Sequence, residues 1–164
     1  MTDFAATECG IRQLQAAYAD AVWRKDFDAF ADCFAEDCEW RILGMVLCGR
    51  AEIKAAIHTR TAKFRRVLMT FRTPVLDINN GAVSGRTYVT EQNVFLDGRP
   101  WMAIGTYYEH FVDHGDRWRF AWRLFQAHYI GPPDLSSSFL DNPDYGPPPA
   151  MPPRDAIPNQ EFKP

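Results

Sequence analysis

The sequence predicts an α+β domain in which three amphipathic helices cover one face of a bent antiparallel sheet. Helical spacing of apolar residues is confined to roughly the first 64 positions, the period then changes to two, and three short turn motifs divide the β region into consecutive segments. A sheet covered on one side only leaves room for a pocket between the layers.

The first helix carries Ile11, Leu14, Tyr18 and Val22 at helical spacing. Asp26 is a natural N-cap for a second helix with Phe27, Phe30, Ala31 and Phe34 on its buried side, and a strand follows near Trp40. A third helix is expected from about Arg50 to Phe64, after Gly49, burying Ile53, Ile57 and Phe64. β segments follow at about 67–79, 82–96, 101–112 and 117–129. They are separated by Asn79-Asn80-Gly81, Asp97-Gly98-Arg99-Pro100 and Asp113-His114-Gly115-Asp116, so the reading is a run of antiparallel hairpins.

Residues 1–130 form one domain in this reading, and residues 131–164 form an extended tail. The tail holds 10 of the 12 prolines, which rules out a central strand or a long helix there. Its islands Leu135, Phe139, Leu140 and Tyr145 suit packing on the domain, closing a cavity mouth or clasping a neighbouring subunit, and partial docking is expected.

With 46% hydrophobic residues in 164, the chain has enough apolar surface for a substantial core. A net charge of −3 and no long Lys/Arg cluster argue against nucleic acid as a partner. No apolar run approaches the ~20 residues a membrane span needs, and the N-terminus lacks the features of a signal peptide, so a cytoplasmic location without a membrane partner is expected. Cys9, Cys33, Cys38 and Cys48 have neither Cys-x-x-Cys spacing nor a histidine at metal-ligand spacing, and reduced thiols without a metal are the expectation. There is no Gly-rich phosphate loop and no Gly-x-Ser-x-Gly elbow.

Alternation along the strands supplies the candidate site. In the last segment the even positions Trp118, Phe120, Trp122, Leu124, Gln126 and His128 read as inward and Arg117, Arg119 and Arg123 as outward. Gln126 and His128 would then extend an apolar stripe towards a pocket. In the segment before it, both faces are partly apolar, and periodicity does not choose between them. If Trp101, Ala103, Gly105, Tyr107, Glu109 and Phe111 face the helices, Glu109 and Tyr107 lie one above the other where burial holds a carboxyl group protonated. Glu91 and Asn93 form a second polar pair, offering a general base and a positioning amide if they face the same cavity. Trp23, Trp40, Trp101 and Trp122 suit a flat ring substrate.

The helical corner, Gly49-Arg50-x-x-Ile53, Gly105-x-Tyr107 and Trp118-Arg119-Phe120, in this order over roughly residues 8–130, resemble the SnoaL-like branch of the nuclear transport factor 2 superfamily. The resemblance implies a cone-shaped barrel: a strongly bent antiparallel sheet with three N-terminal helices packed on its concave face around a deep apolar pocket. It also implies a homo-oligomer, dimer or trimer, paired through the outer sheet face. Relatives in that superfamily include dehydratases, isomerases, polyketide cyclases, carbon–carbon lyases and proteins that only bind.

Carried over on Lys25-Asp26-Phe27-Asp28, the scytalone dehydratase aspartate falls on Trp23, its tyrosines on Val22 and Ile42, and its histidines near Leu68 and Asn93, so that machinery is missing. The ketosteroid isomerase oxyanion-hole pair falls on Tyr18 and Glu109, while its general base falls on Ile42. That leaves Glu91, His128 or His58 to move a proton. The expected activity is a cofactor-free lyase, by dehydration or formaldehyde elimination, on a hydrophobic hydroxylated aromatic or polycyclic molecule. The alternatives are an isomerase or cyclase and a non-catalytic small-molecule binder. The expected catalytic set is Tyr18, Glu91, Tyr107, Glu109 and His128, with Trp23, Trp40, His58, Asn93, Trp122 and Gln126 around the substrate.

Overall fold

The computed structural model describes residues 3–159. Asp3 caps α1 (Phe4–Arg24) by accepting a hydrogen bond from the Ala5 amide, and Lys25 ends it in the left-handed conformation at φ 56°. Asp26 then caps α2 (Phe27–Asp32) through the Ala29 amide. The second helix is shorter than its apolar spacing suggests, because Phe34 already opens β1 (Phe34–Ile42). After β2 (Met45–Cys48), Gly49 adopts φ 81° and α3 (Arg50–Thr61) begins, with the Glu52 carboxylate accepting the Cys48 amide at 2.8 Å. Phe64 lies beyond α3 and starts β3 (Phe64–Phe71).

The expected segment 67–79 is two strands, β3 and β4 (Val75–Asn79), both antiparallel to β5 (Ala82–Phe95). The break falls at Arg72-Thr73-Pro74, where proline has no amide to give the ladder. Two more long strands, β6 (Pro100–Asp113) and β7 (Trp118–Gly131), complete the sheet, with order β2-β1-β7-β6-β5-β3 and β4 on β5. β1 runs parallel to β7, so the N-terminal strand returns beside the C-terminal one and the sheet curls into an open cone around the helices. The predicted α+β fold is therefore present.

Within the cone, α1 buries Ile11, Leu14, Tyr18, Ala21 and Val22 against aromatic residues of the sheet and α2. Tyr18 and Phe30 rings lie 4.8 Å apart, and Phe34 and Phe120 lie 5.4 Å apart. Such pairs contribute ~0.5–1.5 kcal/mol each beyond area burial.

Among the described residues, the tail lines none of the space inside the cone. It runs over the outer sheet face, where Tyr145, Met151 and Ala156 cover Tyr108, Trp122 and Leu124. Leu140 donates its amide to the His128 carbonyl at 2.8 Å, Asn159 Oδ1 accepts the Ala127 amide at 2.9 Å, and Arg41 donates to the Ala156 carbonyl at 2.9 Å. These bonds satisfy polar groups that a proline-rich segment cannot pair internally.

Two β-bulges decide which residues of β7 face inward. Between His110 and Phe111, and again between Ile104 and Gly105, the pairing of β6 with β7 shifts register. Phe120 therefore points into the core, the next inward residues are Arg123, Phe125 and Ala127, and Ile130 follows after the second shift. The expectation that even positions face inward is corrected from Trp122 to His128, because the first extra residue reverses the parity and the second restores it by Ile130.

Candidate functional site

The wide part of the cone encloses a cavity of about 110 Å³. Its wall is mostly apolar, with Val22 from α1, Trp40 and Ile42 from β1, Ile57 from α3, Val67 and Met69 from β3, and Phe125 and Ile130 from β7. Set into this wall are Tyr18, Glu91, Asn93 and Tyr107. The open alternative on β6 is thus resolved: Trp101, Ala103 and Tyr107 line the cavity.

Glu91 pairs in register with Ala103 on β6, and Tyr107 pairs with Thr87, so the acid and the phenol sit four residues apart along the same concave surface. At ~3.3 Å per residue this separates their backbones by about 13 Å, room for a ring between the two side chains. Burial pushes the Glu91 carboxyl above its ordinary value, while Asn93, Arg60 and Arg123 pull it back. The Tyr18 phenol is pushed up to about 12 by burial, with Arg123 opposing, and Tyr107 is raised well above the usual phenol value for the same reason. Both therefore stay protonated at neutral pH and serve as hydrogen-bond donors.

Beneath the phenols lies a fully buried ion pair. Arg123 Nε donates to Glu109 Oε1 at 2.9 Å and Nη2 lies 2.8 Å from the same oxygen. The other carboxylate oxygen accepts from Thr87 Oγ1 at 2.9 Å and from Gln15 Nε2 at 3.3 Å. The guanidinium is boxed by aromatic faces, 3.8 Å from the Tyr107 ring centre, 3.9 Å from Phe120 and 4.6 Å from Tyr18. Burial raises the Glu109 carboxyl, but a permanently charged arginine and two donors hold it as the anion in this pair. Glu109 thus faces inward as expected. It does not line the cavity, and the expected role of a free neutral acid is replaced by that of counter-ion to Arg123.

Other expected residues are placed elsewhere. His128 lies on the outer face, with Nε2 2.6 Å from Thr106 Oγ1 and Nδ1 2.8 Å from Asn142 Nδ2 of the tail, so both ring nitrogens are engaged. Gln126 accepts from the Tyr108 hydroxyl, and Trp122 donates to Glu39 at 3.0 Å beneath the tail. These three leave the site because of the first bulge. Trp23 is 47% exposed with Arg66 over its ring at 5.6 Å, and His58 is an exposed α3 residue against Phe27. Both stand on helix faces turned from the cone. Trp40 and Asn93 do line the cavity, and each carries a buried polar atom, Nε1 and Oδ1, with no hydrogen-bond partner among the described residues.

Sequence reading missed Arg123, Gln15 and Thr87, and the cavity-lining cations Arg60 and Lys63. Gln15 had a signal, since it interrupts the apolar stripe of α1. Arg123 had none without the bulge, because plain alternation sends it to solvent. Among the described residues no cluster of His, Cys, Asp and Glu suits a metal, all four cysteines are free, and no helix is long and apolar enough to cross a membrane.

A family model described as SnoaL-like domain matches residues 5–123. A search of curated proteins finds no match. Among solved structures, a proposed scytalone dehydratase from Novosphingobium aromaticivorans is similar, at 20% identity over 79% of this chain and 90% of that one, with a TM-score of 0.73. A proposed aromatic ring hydroxylase from the same organism has 23% identity, covers 83% of this chain and 100% of that one, and has a TM-score of 0.73. A type 2 hexachlorocyclohexane dehydrochlorinase, LinA, has 15% identity, covers 88% of this chain and 96% of that one, and has a TM-score of 0.70. At these identities the structures share the fold, and it is the family match across most of the chain, joined to the cone and its internal cavity, that makes this protein a member of the SnoaL-like family.

Proposed function

We propose that the protein is a cofactor-independent lyase that eliminates water, or formaldehyde, from a hydrophobic hydroxylated ring compound held in the cone. The observation that carries this reading is a partly buried carboxylate, Glu91, sharing one apolar cavity with two protonated phenols above a buried arginine. In dehydration, Glu91 takes the proton from the carbon next to the one bearing the hydroxyl. The C–H electron pair becomes the new double bond as the C–O bond breaks, and the departing hydroxyl takes a proton from Tyr107 or Tyr18 and leaves as water. The resulting phenolate is stabilised by Arg123, and solvent returns the proton from Glu91 to it. A positioned acid or base of this kind contributes about 10²–10⁴ in rate. Trp40 Nε1 and Asn93 Oδ1 supply a donor and an acceptor that orient the substrate's oxygens. The dehydratase and dehydrochlorinase named among the similar structures favour elimination chemistry on such a cone.

The test is a mass-spectrometric screen of the purified protein against hydroxylated aromatic dimers, steroids and polyketide-like phenols. A product lighter by water or formaldehyde, formed by the wild type and not by Glu91→Gln, supports the lyase. A product of unchanged mass and shifted retention makes the same base and phenols an isomerase site. Ligand recovered bound and unaltered replaces the enzyme reading with a binding protein.

A further inference from the structure

We infer that the cavity mouth binds an anionic group, a carboxylate, so that the ligand class is a ring compound carrying an acid at the end opposite the one that enters the cone. This deepens the reading of the same site and rests on it for the identity of the cavity. The charged residues lining the cavity are Arg60, Lys63 and Glu91. Arg60 stands in the last turn of α3 and Lys63 in the short link to β3, on the same edge of the opening. Two cations against one carboxylate give this surface a positive balance in a chain whose net charge is −3.

Neither cation is neutralised by an ion pair among the described residues. The Arg60 guanidinium rests on the Met45 sulfur at 3.6 Å, and Glu91 acts on it through space from inside the cavity. Lys63 lies over the Phe64 ring, with its ammonium 5.3 Å from the ring centre. Arg99, by contrast, is stacked 4.4 Å from Phe95 and paired with Asp97. Arg24, Arg41, Arg117 and Arg119, which also touch acids, do not line the cavity. Arg60 and Lys63 thus join the cavity lining without an ion pair among the described residues, beside the aromatic side chains Phe64, Phe95 and Trp101.

This combination matches an amphipathic aromatic acid. The ring gains from the apolar wall and aromatic rim. The carboxylate gains from a planar guanidinium, whose fork suits its two oxygens, and from a mobile ammonium at the edge. Orientation follows as well. An acid held at the mouth keeps its charge away from Glu91 and presents the far end of the ring to Glu91, Tyr18 and Tyr107.

The experiment is isothermal titration calorimetry of the wild type and the double variant R60Q/K63Q with two probes of matched shape, 2-naphthoate and 2-naphthylmethanol. Expected for the wild type is at least about tenfold tighter binding of the naphthoate, with the preference shrinking as salt rises. Expected for R60Q/K63Q is loss of that preference, with affinity for the alcohol unchanged and circular dichroism and melting temperature as in the wild type. Equal binding of both probes by the wild type, a preference surviving in the variant, or no binding of either probe at millimolar concentration would overturn the inference. Absence of turnover would defeat the lyase reading alone, because binding selectivity is measured without chemistry.

Discussion

Replacing Glu109 by glutamine leaves a guanidinium buried without its counter-charge. Both Glu109 and Arg123 are 0% exposed, and the carboxylate takes four contacts, two from Arg123 and one each from Thr87 and Gln15. A glutamine amide preserves the volume. It loses the charge, and wherever its NH2 sits it sets a donor against Arg123 or against the donors Thr87 and Gln15. Breaking one side of a buried pair costs about 3–5 kcal/mol, which for a domain of this size lowers Tm by roughly 6–20 °C.

Urea unfolding of E109Q, R123M and the double variant closes the cycle. Replacing both partners removes both charges, so the double variant is expected to be closer to wild type than the sum of the two singles. R123M alone leaves Glu109 in an apolar site, its folded pKa raised above the unfolded value by burial. Its stability is then full at acid pH and falls as pH rises through the folded pKa. An E109Q protein melting within about 2 °C of wild type, or a cycle without coupling, would refute the claim that the pair is ionised and mutually dependent.

Glu91→Gln should reduce turnover by about 10²–10⁴ with ligand affinity retained, as read by kcat against KM. Because burial raises the Glu91 pKa, base-dependent rate should climb as pH rises through that pKa, while the stability that Glu91 contributes, present below the unfolded pKa, is lost over the same rise. E91Q should flatten the pH dependence of Tm. Gly105→Ala would place a Cβ 2.3 Å from the Phe125 ring and 2.7 Å from the Gln126 carbonyl, so it should cost about 1–3 kcal/mol in urea unfolding and disturb ligand binding at Phe125. Ending the chain after Gly131 uncovers Tyr108, Trp122 and Leu124, so sedimentation should show self-association and calorimetry a lower Tm, with the inner cavity still able to bind ligand.

Local signals carried most of the fold. Apolar residues at helical spacing marked α1 and α3, Asp26 marked the corner into α2, and Asn80-Gly81, at φ 50° and 83°, marked the hairpin between β4 and β5. Alternation put Glu91 with Asn93 on one face of β5 and Tyr107 with Ala103 on one face of β6 without choosing which face is inward, and the bulge-free pairing of the two strands joins those faces at the cavity. The sequence alone therefore offered Tyr18, Glu91, Asn93 and Tyr107 as candidates, and the packing of helices on the paired strands decided that they share one cavity.

What it could not do was place β7. A bulge adds one residue without any marking side chain, and everything after it changes face: Trp122, Gln126 and His128 turn to the tail, and Arg123 turns into the core. The partner of Glu109, and hence its state as an anion, depends on pairing across strands that no local pattern encodes. The same holds for the tail, whose prolines predict an extended chain, while the surface it covers is set by the outward row of β6 and β7. Composition and periodicity determined the layers and the side chains available to the site. Tertiary register decided which of them meet, because a shift of a single residue in one strand reverses every contact beyond it.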